Sequence, residues 1–216
     1  MAAIAETAGN AATTLIDRHI AASKGDKPAL KYGDKRYSYN DIAALANRAG
    51  NLLRRLDVEP GQHVIVAIGL SPALIATVLG AMKIGACPVL TQAGSLRAQA
   101  DRVKDLRPGA IVVEAGAKVG AFALAGEAPV LVVGETEGEE LSFVELLRQS
   151  PSSLSSVAVE EGAAALKIME ERGIDVVSHE AVSGEEIEAR LQAFPALARS
   201  LRALAQGKEA TIPRPA

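Results

Sequence analysis

An uninterrupted apolar segment, Val64 to Ile68, constrains the fold of this 216-residue chain more than any other feature. A run without alternating polar residues is typical of a parallel strand that is buried on both faces. Ser71-Pro72 and Gly85 then predict the start and the end of a helix, because Pro favours the first helical turn and Gly follows the last. The next apolar run, Ala86 to Leu90, completes a strand–helix–strand unit, which is the repeating element of an α/β sheet.

The same alternation continues to residue 147 and predicts an α/β fold with a doubly wound, parallel-rich sheet and helices on both faces. In such sheets ligands usually bind beyond the carboxyl ends of the strands. These ends carry Gly69 to Ser71, Thr91 to Gly94 and Glu114 to Gly116. The further predicted elements are helices at 95–106, 117–124 and 142–147, and strands at 110–113 and 130–133.

Three elements are predicted before the sheet begins. Asn10 is expected to cap a helix that ends near Ser23. Residues 29–37 form two short runs around a Gly-Asp turn and indicate a hairpin. Ser38 and Asp41 have the spacing of a capping box, which predicts a helix that runs to about residue 56.

A Ser-rich segment at 151–159 is interpreted as a joint between an N-terminal lobe, residues 1–150, and a C-terminal part, residues 160–216. The C-terminal part is predicted to be small and α/β or helical. Its pattern indicates a helix at 162–172, a strand at 174–177, and a helix that begins at Ser183 and is interrupted near Pro195. Residues Ser183 to Glu186 have a second capping-box spacing.

Composition excludes several functions. The net charge of −3 leaves no basic surplus to neutralise a phosphate backbone, so we expect no nucleic-acid partner. A single cysteine, Cys87, excludes an internal disulfide, and three separated histidines offer little for a metal site. The uncharged run 64–82 approaches the length of a membrane span, but Gly69 and Pro72 favour a strand followed by a buried helix. No membrane span and a cytoplasmic location are therefore expected.

Most catalytic motifs are missing. The sequence has no Gly-x-Gly-x-x-Gly fingerprint and no Gly-x-Ser-x-Gly elbow. Gly207-Lys208 is followed by Glu209 and not by Ser or Thr, so no Walker-type loop is present. Cys87 lies in an apolar strand, which is typical of an inert buried thiol. We therefore predict no catalytic residue and no metal site from motifs alone.

Five short segments nevertheless form a specific combination: NAATTLIDRH (10–19), GDKPAL (25–30), YSYNDI (37–42), PGQHV (60–64) and MKIGACPV (82–89). Together they resemble the opening helix and the first two core motifs of adenylate-forming enzymes. This superfamily includes acyl-CoA synthetases, aryl-CoA ligases such as benzoate–CoA ligase, and peptide-synthetase adenylation domains. The resemblance covers the first 147 residues and implies the N-terminal lobe of such an enzyme.

The family's phosphate loop, rich in Ser, Thr and Gly and ending in Pro-Lys-Gly, should follow this lobe. Here the Ser-rich segment runs directly into Val157 to Glu161. Backbone N–H groups of a glycine-rich loop are what cradle phosphates in such sites. The family's acidic motif, ribose-binding aspartate and C-terminal lysine domain are missing from this sequence as well.

The C-terminal part has a weaker similarity to the family's second lobe, in 165–177 and 194–210. Carried over position by position, this similarity makes Ser178, His179 and Gly207 candidate substrate- or nucleotide-binding residues. The family's Val-Pro-Thr is replaced by Val182-Ser183, and Lys208 stands in place of a glycine. Ordinary structural roles for the three residues, and an unrelated helical appendage, are the alternatives.

The resemblance implies an ancestor that activated a carboxylic acid with ATP and Mg and transferred the acyl group to CoA. We expect no adenylation and no cofactor for this chain alone, because the phosphate loop and catalytic lysine are missing. The leading hypothesis is a reduced, noncatalytic homologue that acts as a binding or interaction module. The alternatives are one subunit of a split acyl-CoA ligase and a fragment left by an internal deletion. A homo-oligomer or a protein partner is expected to cover an apolar face of the lobe.

Overall fold

The computed structural model describes residues 9–160 and 162–213. Within them the chain forms strands and helices in nearly regular alternation. The strands are β1 (Pro28–Tyr32), β2 (Lys35–Ser38), β3 (His63–Ala67), β4 (Cys87–Leu90), β5 (Ala110–Glu114), β6 (Val130–Val133), β7 (Leu141–Ser142), β8 (Ala164–Glu170), β9 (Gly173–Ser178) and β10 (Ala210–Ile212). The helices are α1 (Arg18–Ala21), α2 (Tyr39–Arg55), α3 (Pro72–Lys83), α4 (Ala100–Leu106), α5 (Lys118–Leu124), α6 (Phe143–Gln149), α7 (His179–Ser183), α8 (Ile187–Arg190) and α9 (Pro195–Ala205).

Seven strands form one sheet in the order β7-β6-β5-β3-β4-β8-β9. All neighbouring pairs are parallel except β8 and β9, which form an antiparallel pair at one edge. Val64 and Val66 of β3 face a core that includes α2 and α3, whereas Ile65 and Ala67 face a second core that includes α4 and α5. The predicted parallel-rich α/β sheet with helices on both faces is thus confirmed.

Helix α2 begins where the sequence predicts, at a complete capping box. The Ser38 Oγ accepts a hydrogen bond from Asp41 N, and the Asp41 carboxylate accepts one from Ser38 N. Ser71 likewise caps α3, whose first residue is Pro72. The helix predicted from Ser95 begins later, at Ala100, after two short 3-10 turns.

The helix predicted at 162–172 is wrong, because these residues contain β8. Leu166 and Ile168 pack into one core and Met169 into the other, so this segment is buried on both faces beside β4. Long-range burial between two layers outweighs the intrinsic helix propensity of an Ala-, Leu- and Met-containing segment. The predicted strand at 174–177 is confirmed as part of β9.

The second predicted capping box is also wrong. Ser183 ends α7 rather than beginning a helix, and its Oγ donates to the carbonyl groups of His179 and Glu180. Gly184 then adopts an extended conformation, and the region of the predicted helix holds two separate helices, α8 and α9, which begin at Ile187 and Pro195.

The C-terminal part extends the sheet of the N-terminal lobe, since β8 pairs with β4. A small three-stranded sheet, β10-β1-β2, also joins the last strand to the N-terminal hairpin. The proposed boundary at 151–159 stays a prediction. These residues lie along α2, where the Asn47 side chain donates to the Ser152 carbonyl and the Asn51 side chain donates to those of Pro151 and Ser153.

A buried lysine, Lys83, connects the N-terminal helical segment to α2 and to the Ser-rich segment. Lys83 Nζ lies 2.8 Å from Asp17 Oδ1 and 2.7 Å from Asn47 Oδ1, and its side chain is only 2% exposed. The second Asp17 oxygen accepts from the Ser156 hydroxyl. Asn10 adds to the same junction, because its amide donates to the carbonyls of Met82 and Val157. Its Oδ1 accepts from Ala12 N, as expected of a helix cap. The helical segment that it begins passes through a π-helix, Thr13–Asp17, into α1.

Among the described residues, no helix is both long enough and apolar enough to cross a membrane.

Candidate functional site

The carboxyl ends of β3, β4 and β5 border an apolar crevice of about 270 Å³. We call it the strand-end crevice. Ile68, Leu70 and Leu74 supply its floor, and Phe194 to Leu197, at the start of α9, supply its outer wall. Thr91, Gln92 and Glu114 give it a polar margin. All three strand ends that the sequence predicts to bear ligands thus line this crevice.

The crevice lies at the switch point of the sheet, because the chain leaves β3 towards β4 while β5 lies on the other side of β3. The carboxylate of Glu114 links the carboxyl ends of β3 and β5. Glu114 Oε1 accepts a hydrogen bond from Gly69 N at 2.6 Å. A Cβ at Gly69 would lie 2.9 Å from this oxygen, so the Glu114 side chain would have to shift to accommodate it.

A second cavity of about 300 Å³ adjoins the crevice and shares Gln92 and Phe194 with it. Its inner wall holds Gln99, which is buried and whose side-chain carbonyl accepts from the Thr91 hydroxyl at 3.2 Å. Its rim holds Glu170 to Arg172, where β8 turns into β9. The amides make this part of the edge polar, in contrast to the apolar crevice.

The charge of the strand-end crevice does not fit a triphosphate. Among the described residues that line it, none is a lysine or an arginine, and Glu114 is acidic. Phosphates are normally held by cationic side chains or by a nest of backbone N–H groups. At this edge the Gly69 N–H is already used by Glu114.

The three residues predicted by similarity lie outside this crevice. Ser178 caps α7, and its Oγ accepts from Ala181 N. His179 is buried, and its Nδ1 accepts a hydrogen bond from Ala11 N at 2.9 Å. These contacts are structural, and a binding role for Ser178 or His179 stays a prediction.

Gly207 lies just after α9. It has a φ of +70° and ends α9 in a Schellman motif, with its N–H bonded to the Leu204 carbonyl and the Lys208 N–H bonded to that of Ala203. A Cβ at Gly207 would lie 3.2 Å from the His19 ring. Glycine is therefore explained by backbone conformation and close packing, and a binding role for it stays a prediction.

Burial lowers the pKa of His179 below its usual range, against a smaller opposing effect of the Glu180 charge. Burial also lowers the pKa of His19 and His63, with help from Arg18 and Lys167, respectively. Each histidine therefore binds a proton more readily in the unfolded chain. The stability that each neutral histidine contributes is fully present above the unfolded pKa and is lost as the pH falls from the unfolded pKa through the lower folded pKa.

We expect the free energy of unfolding to fall as the pH drops below about 6.5, with a slope of up to about 1.4 kcal/mol per pH unit for each histidine. His179→Asn keeps an acceptor for Ala11 N but cannot titrate, so it should make the pH dependence shallower. Urea unfolding at several pH values measures this slope. An unchanged slope in the variant would show that His179 does not contribute.

A second cluster of titratable side chains lies near the amino ends of β3 and β4. Lys167 Nζ is 2.7 Å from His63 Nε2, while His63 Nδ1 is 3.2 Å from the Leu106 carbonyl. Cys87 lies beside His63 in the sheet register, and burial raises the pKa of its thiol to about 11. The thiol is therefore protonated and inert at neutral pH, as the sequence predicts. Within residues 9–160 and 162–213, no three His, Cys, Asp or Glu side chains are placed to hold a metal ion.

Sequence reasoning did not identify the outer wall of the crevice. Phe194 and Pro195 are about 80 residues from the nearest strand end in sequence, at Glu114. The available signal was Pro195 itself, which begins α9 rather than interrupting a helix.

The sheet order and the crevice at its switch point define a doubly wound α/β protein. The family described as AMP-binding enzyme matches residues 17–186, and the chain belongs to this family. Acetyl-coenzyme A synthetase from Bacillus subtilis (strain 168) is 43% identical over 82 residues, which are 36% of this chain and 14% of that protein. The 3-hydroxybenzoate–CoA ligase from Aromatoleum sp. (strain CIB) is 37% identical over 80 residues, which are 37% of this chain and 15% of that protein.

Solved structures show the same fold over nearly the whole chain. An acyl-CoA synthetase from Brucella canis has a TM-score of 0.82 at 18% identity, covering 97% of this chain and 44% of that one. The anthranilate CoA ligase AuaEII, solved with anthranoyl-AMP, has a TM-score of 0.78 at 18% identity and covers 94% and 44%, respectively. The chain thus spans less than half the length of these relatives. The resemblance to the N-terminal lobe of adenylate-forming enzymes is confirmed.

Proposed function

We propose that this chain is a reduced AMP-binding homologue that does not catalyse adenylation alone and acts as a binding or interaction module. The observation that carries this proposal is the charge of the strand-end crevice. Adenylation develops negative charge at the α-phosphate, and a catalyst must meet it with donors or cations. The crevice offers the Glu114 carboxylate and no lysine or arginine among its described lining residues.

The conformation of the Ser-rich segment supports the same proposal. A phosphate loop needs free backbone N–H groups that point into the site. Here the segment is tied down along α2, where its carbonyl groups accept hydrogen bonds from Asn47 and Asn51. Val157 N is used as well, because it donates to the Lys83 carbonyl. The segment therefore serves as a brace between helices.

A ligand of the strand-end crevice would be apolar where it contacts Leu74, Phe194 and Leu197. The volume of about 270 Å³ lies just below the usual range of ligand cavities, about 300–1,000 Å³, so only a small group would fit. Two of the relatives are named for small acyl groups, one as an acetyl-coenzyme A synthetase and one as a 3-hydroxybenzoate–CoA ligase. We infer a small apolar group of this size as the bound moiety, in a cytoplasmic protein that needs no ATP, Mg or CoA to bind it.

The alternative is a subunit or fragment of an ATP-dependent acyl-CoA or aryl-CoA ligase. The chain covers only 44% of the solved relatives, so a second chain could supply the phosphate loop and lysine. Exposed apolar side chains are available for such a partner or for a second copy. Val119 and Phe122 of α5 and Val176 of β9 are 78%, 46% and 53% exposed.

Two measurements on the full chain distinguish these functions. We expect the purified protein to give no ATP–pyrophosphate exchange with benzoate or acetate. We expect a native pull-down from the source cells, analysed by mass spectrometry, to recover the chain without a stoichiometric ligase partner. Exchange by the isolated chain would refute the noncatalytic proposal. A stoichiometric partner that carries the phosphate loop and lysine would establish the split ligase instead.

A further inference from the structure

A further cavity, of about 510 Å³, lies between α1, the end of α7 and the end of α9. We call it the basic cavity. It shares no lining residue with the strand-end crevice. Arg18, Lys24 and Arg202 line it, and Glu185 is the carboxylate among its described lining residues. Three cations and one anion give this lining a formal charge of +2.

These cations are only partly neutralised by the rest of the protein. Arg202 makes a surface ion pair with Glu188 at 3.2 Å, and both side chains are substantially exposed. Such exposed pairs are weak and can exchange for a better anion. Among the described residues, no carboxylate forms an ion pair with Lys24 or Arg18. The basic cavity therefore keeps an excess of positive charge.

A buried histidine adds an unused polar atom. His19 lines the basic cavity and is 6% exposed, and its ring lies 4.7 Å from the Tyr39 ring. Within the described part of the chain, its Nε2 atom has no hydrogen-bond partner of good geometry. The nearby carbonyl groups of Leu204 and Ala205 oppose, without cancelling, the lowering of the His19 pKa by burial. Buried polar atoms are rarely left without a partner.

Helix capping does not account for all of this positive charge. Cations commonly gather near helix C-termini to meet free carbonyl groups. At the end of α9 these carbonyls already have partners within the protein: Arg202 O with Gln206 N, Ala203 O with Lys208 N, Leu204 O with the Tyr39 hydroxyl, and Ala205 O with the Arg18 guanidinium. The Lys24 and Arg202 side chains are therefore not used to cap this helix end.

We propose that the basic cavity binds a small phosphorylated molecule. Its phosphate group contacts Lys24, Arg202 and the outer edge of Arg18, and accepts a hydrogen bond from the His19 ring. Arginine and lysine side chains are the usual partners of phosphate, with charge-assisted hydrogen bonds about twice as strong as neutral ones. The volume leaves room for the rest of a nucleotide-sized molecule beside Ser183 and Gly184.

Isothermal titration of the full chain with inorganic pyrophosphate tests this site at constant ionic strength. We expect binding in the micromolar to millimolar range, weakened about tenfold or more by the double variant Lys24→Gln/Arg202→Gln. Glu185→Gln removes the opposing carboxylate and should tighten binding. Lys104→Gln is the matched control, because Lys104 also lies in the last turn of a helix, α4, but not at the cavity. It should leave binding unchanged.

Ring-nitrogen NMR gives a second readout that does not depend on any variant. The chain has three histidines, and only His19 lines the basic cavity. Pyrophosphate should shift the His19 resonances and leave those of His63 and His179 unchanged. Absence of binding at millimolar pyrophosphate, or equal binding by the double variant, would overturn the proposal. Equal competition by acetate would show a general anion site and overturn the assignment to phosphate.

Discussion

Replacing Lys83 with methionine is expected to lower the free energy of unfolding by about 3–5 kcal/mol. Methionine keeps the length of the side chain and removes its charge and donors. Of its partners among the described residues, the partly buried Asp17 side chain would keep the Ser156 hydroxyl, and Asn47 Oδ1 would lose Lys83. Groups that remain in the interior without a partner carry the full cost of desolvation. Urea unfolding followed by circular dichroism measures the change.

A matched pair of variants separates this cause from the general effect of losing a lysine. Lys104→Met removes an exposed cation from α4 and should change stability by less than about 0.5 kcal/mol. The double variant Lys83→Met/Asp17→Asn removes both charges and should recover about 0.5–3 kcal/mol, which is the usual range for residues in contact. A loss of under 1 kcal/mol for Lys83→Met would contradict the role of this residue as the junction of three segments.

The core of the sheet could be predicted because its signals are local. The continuous apolar run at Val64 to Ile68 specifies a strand that is buried on both faces, and Ser38 and Ser71 mark helix starts by short-range hydrogen bonds. The motif around Lys83 could be recognised, but its physical role could not be derived. Its partners are 66 and 36 residues away at Asp17 and Asn47, and only the fold brings them together.

The errors fall where long-range packing decides the structure. Residues 164–170 have helix-forming side chains, and their strand conformation depends on β4, which precedes them by about 75 residues. In the candidate site, too, some features follow from local sequence and others depend on distant segments. Its strand-end loops were predictable from sheet logic, whereas its outer wall at Phe194 and the basic cavity at Arg18 and Arg202 are assembled from distant segments. No pattern within one segment carries that information.

A single methyl group at Gly80 is expected to destabilise the protein by about 1–3 kcal/mol, which is the usual cost of overpacking a core. Gly80 lies where α3 crosses α2. An added Cβ would stand 2.6 Å from Gly50 N, 2.7 Å from Ala46 O and 2.8 Å from Ala49 Cβ. None of these atoms can rotate away, because they belong to the backbone and β-carbons of α2. The two helices must therefore move apart in Gly80→Ala.

The same substitution at Gly120 should stabilise the protein instead of destabilising it. Gly120 lies in α5, and nothing stands within 4 Å of the position that its Cβ would take. Gly120→Ala should therefore stabilise by about 0.5–1 kcal/mol, since alanine loses less backbone entropy in a helix. For a protein of this size, each kcal/mol corresponds to a shift of about 2–4 °C in Tm. Thermal unfolding of both variants thus tests the packing of α2 on α3 directly. If Gly80→Ala also raised Tm, helix propensity would outweigh the close approach, and the two helices could not be as tightly packed as the distances require.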